Sequence, residues 1–81
     1  MTREELRDYV ESGDEIEFRY NGEMYSITYG KIDGRHVISF CKFYQETTEV
    51  ETFDELCKVS RDGVTVLQML ESLTEEDIWI Y

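Results

Sequence analysis

His36 is the only histidine in the chain, and it stands beside Asp33-Gly34, a pair that signals a turn. Cys41 and Cys57 are the only thiols, sixteen residues apart and outside any Cys-x-x-Cys spacing. A zinc site needs about four such ligands converging from short spacings, so these three residues predict none. Carboxylates are abundant, but none follows the Asp-x-Asp-x-Asp-Gly pattern of a calcium loop. Nucleophilic catalysis needs a nucleophile, a base and an orienting group within reach of one another. One histidine at a hairpin tip gives little to build on. Lys42 and Lys58 adjoin the cysteines, yet neighbours along a strand point to opposite faces. The prevailing negative charge also works against forming a thiolate. With so many acids no single pair stands out for acid–base work, which requires one carboxyl of raised pKa inside a cleft. Gly13, Gly22, Gly34 and Gly63 read as caps or turns and Gly30 as a strand position, so no phosphate loop is present. The expectation is a protein without catalytic residues, metal or cofactor.

What the chain has in excess is negative charge. Nineteen acidic residues face eight basic ones, a net charge of −11. That field repels nucleic acid and anionic membranes and favours basic partners. Arg19, Lys31, Arg35 and Lys42 do lie near Tyr20, Tyr25, Tyr29, Phe43 and Tyr44, a mixture that can bind single strands. The strand register described below assigns Tyr25 and Tyr29 to the core, so direct nucleic-acid binding is not expected.

The acids fall into three groups. Glu46, Glu49, Glu51, Asp54 and Glu55 form one, and Glu71, Glu75, Glu76 and Asp77 another. The first group, toward the N-terminus, supplies the candidate partner-binding residues: Glu4, Asp8, Glu11, Asp14, Glu15 and Glu17. Carboxylates three or four residues apart on a helix lie ~5–6 Å apart, a spacing comparable to that of backbone phosphates. Such a surface suits a basic protein, in particular one whose own ligand is nucleic acid. The competing reading is that the charge serves only solubility. Another is a self-associating accessory protein, monomeric or paired through an edge strand.

The elements that would carry these residues can be read from their end signals. Thr2 and Glu5 have the spacing of a capping box, with Met1 and Leu6 placed as its hydrophobic staple. Leu6, Tyr9 and Val10 recur at helical spacing, and Ser12-Gly13 ends the helix. Asn21-Gly22 lies between two alternating runs, a strong hairpin signal. A two-residue turn there pairs Tyr20 with Glu23, Phe18 with Tyr25 and Ile16 with Ile27. A second turn at Asp33-Gly34 pairs Tyr29 with Ile38 and Ile27 with Phe40. Both registers put the large apolar residues on one face and Ser26, Thr28, Ser39 and Cys41 on the other. Residues 14–43 are therefore a three-stranded meander, and 44–51 a polar, acidic connection with room for a short strand that its composition does not require. Thr52 and Glu55 open a short helix to about Lys58, and Arg61-Asp62-Gly63 is a turn. Thr65 and Gln68 open a third helix, with Val64 and Met69 as its staple and Val66, Leu67, Leu70 and Leu73 as its apolar face. The β-branched and aromatic run Ile78-Trp79-Ile80-Tyr81 reads as a fourth strand at the sheet edge. The expected fold is one α+β domain over 1–81, ordered α-β-β-β-α-α-β, with the helices on one face.

A chain of 81 residues buries only about 60% of its unfolded surface, leaving little room for a deep cleft. No apolar run is long enough for a membrane span or a secretory segment. With two unpaired thiols expected to stay reduced, the chain reads as soluble and cytoplasmic.

The run from Glu15 to Ile27, with Tyr20-Asn21-Gly22 and Tyr25 at its turn, resembles a loose group of small acidic bacterial proteins. Those start with a helix, carry a hairpin of this pattern, and later show an acidic capped helix and an Asp-Gly-x-x-Leu helix. Here the later parts correspond to Thr52–Leu56 and Asp62–Leu67. The resemblance spans most of the chain, but its motifs are structural and imply no chemistry. In size, acidity and lack of catalytic groups the chain is also similar to phage- and plasmid-encoded inhibitors, anti-CRISPR proteins among them. That similarity transfers no residues. It implies a protein that blocks a nucleic-acid site.

Overall fold

The computed structural model describes residues 1–81. Helix α1 runs Arg3–Glu11. Its capping box is formed on both sides: the Glu5 amide donates to Thr2 Oγ1 at 3.1 Å, and the Thr2 amide donates to Glu5 Oε1 at 3.0 Å. Leu6 and Val10 are its buried residues, and Met1 packs against the core beside them as the staple requires. Gly13, at φ +78°, turns the chain out of the helix.

Strands β1 (Ile16–Tyr20), β2 (Glu23–Ile32) and β3 (Arg35–Lys42) form the meander. Ile16 pairs with Ile27, Phe18 with Tyr25, Ile27 with Phe40 and Tyr29 with Ile38, the registers expected from the two turns. Each turn holds both central residues at positive φ, Asn21 and Gly22 in the first and Asp33 and Gly34 in the second. That backbone matches the right-handed twist of the flanking strands and accounts for the Asx-Gly sequences.

Two features of the sheet go beyond the sequence reading. The polar stretch 44–51 contains a strand, β4 (Thr47–Val50), paired with β3 so that Ile38 faces Val50 and Phe40 faces Thr48. Without β4 the outer edge of β3 would leave a row of backbone groups unpaired. The Asp62-Gly63 turn also closes a second sheet, a small hairpin of β5 (Ser60–Arg61) and β6 (Val64–Thr65). Helices α2 (Phe53–Lys58) and α3 (Val66–Glu71) begin with complete capping boxes at Thr52 and Thr65. Helix α3 stops before Leu73, and Met69 is buried in the core while Leu67 is only half-buried. A 3₁₀ turn, Glu75–Asp77, then leads into β7 (Ile78–Ile80).

Strand β7 pairs antiparallel with β1, so the main sheet has five strands in the order β4-β3-β2-β1-β7. The chain leaves one edge at β4 and reaches the opposite edge at β7 by way of α2 and α3. These helices join α1 on one face, where Leu56, Val66, Met69 and Leu70 meet Ile16, Phe18, Ile27 and Phe40. Phe18, Tyr25 and Phe40 stack there with ring centroids 5.3–6.4 Å apart. Each such buried side chain contributes roughly 1.5–3 kcal/mol. No helix packs on the other face of the sheet. No helix is long and apolar enough to cross a membrane.

Candidate functional site

The residues first considered for chemistry are far apart in kind and in place. His36 is an exposed member of β3, paired with Lys31 and stacked on the Tyr29 ring at 5.5 Å. Cys41 is half-buried on the uncovered face, its sulfur 3.2 Å from Ser26 Oγ. Cys57 is buried within α2, and desolvation raises its pKa; the nearby Arg3 guanidinium opposes this only in part. The thiol is therefore held protonated. No three His, Cys, Asp or Glu side chains are grouped to hold a metal ion.

The six candidate acidic residues divide between two sides of the molecule. Glu4, Asp8 and Glu11 lie on the side of α1 opposite Leu6 and Val10, exposed in a row. Of these only Glu11 approaches a base, Arg7 at 3.9 Å. Asp14 is half-buried in the connection that follows. Glu15 and Glu17 alternate with the buried Ile16 and Phe18, so they project from the uncovered face of the sheet, away from α1. Sequence proximity joined these residues; strand alternation separates them.

Three of the four basic residues of the hairpins are held in ion pairs, and Lys31 is in none. Arg19 pairs with Asp77, Arg35 with Glu51 and Lys42 with Glu23, at 2.8, 3.8 and 3.5 Å. Arg3 and Arg7 lie over the Phe53 ring and reach Asp54. Five of the eight bases are engaged in internal pairs, while Lys31, Lys58 and Arg61 are in none.

A feature absent from the sequence reading lies along β7. Met1, Glu5, Tyr9, Leu73, Thr74, Glu75, Ile78 and Ile80 line a groove of about 510 Å³. One wall is α1, another the segment entering the 3₁₀ turn, and the floor is β7 on the helix-covered side of the sheet. Glu5 and Glu75 are its carboxylates. The Thr2 backbone amide, and after it the Thr2 hydroxyl, lowers the Glu5 pKa below its ordinary value. On the other side of the strand Trp79 and Tyr81 are exposed beside Glu17 and Glu15, their partners across β1. The alternation of Ile78 and Ile80 with Trp79 and Tyr81 was the available signal. The groove itself needs α1 beside β7, which no local pattern specifies.

Comparison with protein-family models, curated proteins and solved structures finds no match to this chain.

Proposed function

We propose that the protein is a non-catalytic, acidic protein-binding module that docks on a basic surface of a partner. The observation that carries this reading is the row Glu4, Asp8 and Glu11, exposed on α1 within a molecule of net charge −11. Glu4 and Asp8 take part in none of the six ion pairs, which involve other acids. Carboxylates carried on a rigid helix lose little backbone freedom when they meet Lys or Arg. A partner surface built for phosphates offers the matching charge. Occupying it would inhibit nucleic-acid binding, in the manner of small acidic inhibitors such as anti-CRISPR proteins.

The test is affinity capture from nuclease-treated lysate of the source organism, washed across a salt series. The expected result is a basic nucleic-acid-binding protein that is retained at low salt and displaced by added nucleic acid. Combined Glu4→Lys, Asp8→Lys and Glu11→Lys replacement should abolish its retention while circular dichroism stays unchanged. Retention by the triple variant equal to that of the parent protein would remove the α1 face from the reading.

A further inference from the structure

The free edge of β7 has a geometry of its own. Glu15 and Tyr81 exchange both backbone bonds, at 3.2 and 2.8 Å. In an antiparallel ladder such pairs alternate, so Glu17 and Trp79 form the next one. The N–H and C=O of Ile80, and the C=O of Ile78, therefore point away from β1 into open space. The Ile78 amide is already satisfied by the Glu75 carbonyl. The outer edge thus offers one donor flanked by two acceptors, the spacing that an incoming strand uses.

The side chains around this edge differ on its two sides. Toward the helices an added strand would meet Tyr9, Leu73, Ile78 and Ile80, with Glu5 and Glu75 among the lining residues. Toward the uncovered face it would meet Trp79, 38% exposed with the Arg19 guanidinium already 5.9 Å from its ring, and Tyr81, 67% exposed, with Glu15 and Glu17 behind them. Apolar side chains suit the first side. Lys or Arg suits the second beside Tyr81, where a cation can lie over the phenol ring and face the Glu15 and Glu17 carboxylates.

A second copy of this chain fits less well. From Glu71 to Tyr81 the chain carries four acids and no base, so pairing β7 with its own counterpart sets like charges together. Each copy also brings a net −11.

We infer that the β7 edge and its groove bind an extended segment of a partner protein, one that alternates apolar residues with Lys or Arg, as an added antiparallel or parallel strand. The inference rests on the reading of the protein as a binder of basic proteins and names the segment such a partner would insert.

The experiment uses the full chain and two synthetic heptapeptides, one alternating Lys with Val and the other Glu with Val. Binding is followed by fluorescence anisotropy and by amide NMR shifts. The Lys–Val peptide should bind, with the largest shifts from Ile78 to Tyr81, and the Glu–Val peptide should not. Ile80→Pro removes an N–H that makes no internal bond, so the β1–β7 ladder keeps its pairs. It should weaken binding by about tenfold or more, the equivalent of one lost hydrogen bond of ~1.4 kcal/mol. Should that variant fail to fold, Ile80→Lys, which puts a cation at the groove, should weaken binding to the same extent. Equal binding of the two peptides, shifts confined to α1, or full binding by the folded Ile80 variant would overturn the inference. So would a concentration-dependent dimer, abolished by Ile80→Pro, that takes no peptide. If a basic partner is captured through Glu4, Asp8 and Glu11 while the Lys–Val peptide leaves β7 unmoved, the edge inference falls and the binding-module reading stands. Peptide binding at β7 that survives the α1 triple replacement supports the edge independently of that helix.

Discussion

The Arg19 guanidinium donates to the Asp77 carboxylate at 2.8 Å while lying 5.9 Å from the centre of the Trp79 ring. It thereby ties the turn before β7, and β7 itself, to the turn end of the β1–β2 hairpin, with Arg19 and Asp77 lying 58 residues apart in the chain. The pair is partly exposed to water, which screens it, so its contribution is about 0.5–1 kcal/mol. Arg19→Ala should speed hydrogen exchange of the Tyr81 amide, which donates to the Glu15 carbonyl, more than it speeds exchange in β2 and β3. Unchanged protection at Tyr81 would mean that the backbone ladder alone holds the strand.

Tyr44 is fully exposed and sits at φ +67°, the one bulky residue in the left-handed region. The other positive-φ positions are Asn, Asp or Gly, which tolerate it. Tyr44→Gly should raise stability by about 1 kcal/mol in urea unfolding. Tyr44→Ala keeps the steric cost and should leave stability near that of the parent. A stabilised Ala variant would assign the gain to removing the phenol ring rather than to the backbone.

The two thiols should react in order. Cys41 is half-buried at the sheet surface, whereas Cys57 is buried in α2 and held protonated by desolvation. Iodoacetamide followed by mass spectrometry should label Cys41 first, and Cys57 only as fast as α2 opens. Early labelling of Cys57 would show that α2 detaches readily from the sheet.

Glu5 ties helix capping to pH. Its carboxyl is stabilised in the charged form by the Thr2 amide, so its folded-state pKa lies below the unfolded one. The resulting stabilisation is present above the unfolded value of about 4.3 and is lost as pH falls through the folded one. Glu5→Gln keeps a capping partner, as Gln68 does for Thr65, but removes the titrating charge. Its loss of stability on acidification should be smaller than that of the parent. Parallel acid curves would place the titration elsewhere.

Much of the fold was legible because its signals are local. Asn21-Gly22 and Asp33-Gly34 each specify a two-residue turn, and a turn of known length determines every pair in its hairpin. Three capping boxes likewise marked the starts of the three helices to the residue. Strand β4 was allowed by the sequence but not specified by it: Thr47 to Glu49 are polar and exposed, and the pairing is imposed by the unfilled edge of β3 rather than by the segment's own composition. The partner-binding candidates show the same divide. Glu4, Asp8 and Glu11 share a face because helical periodicity puts them there, but Glu15 and Glu17 follow a period of two onto the opposite side of the sheet.

The amino-acid sequence by itself determined the starts of the three helices, the meander register and the charge, since turns, caps and alternation act over a few residues. Only the tertiary structure decided that β7 closes against β1, that β4 takes the far edge, and that Tyr9, Leu73 and Ile80 meet around one groove. Those contacts join segments as much as seventy residues apart. Their positions follow from which sheet edges and apolar faces remain uncovered once the local pieces have formed, a property of the assembled chain and not of any stretch within it.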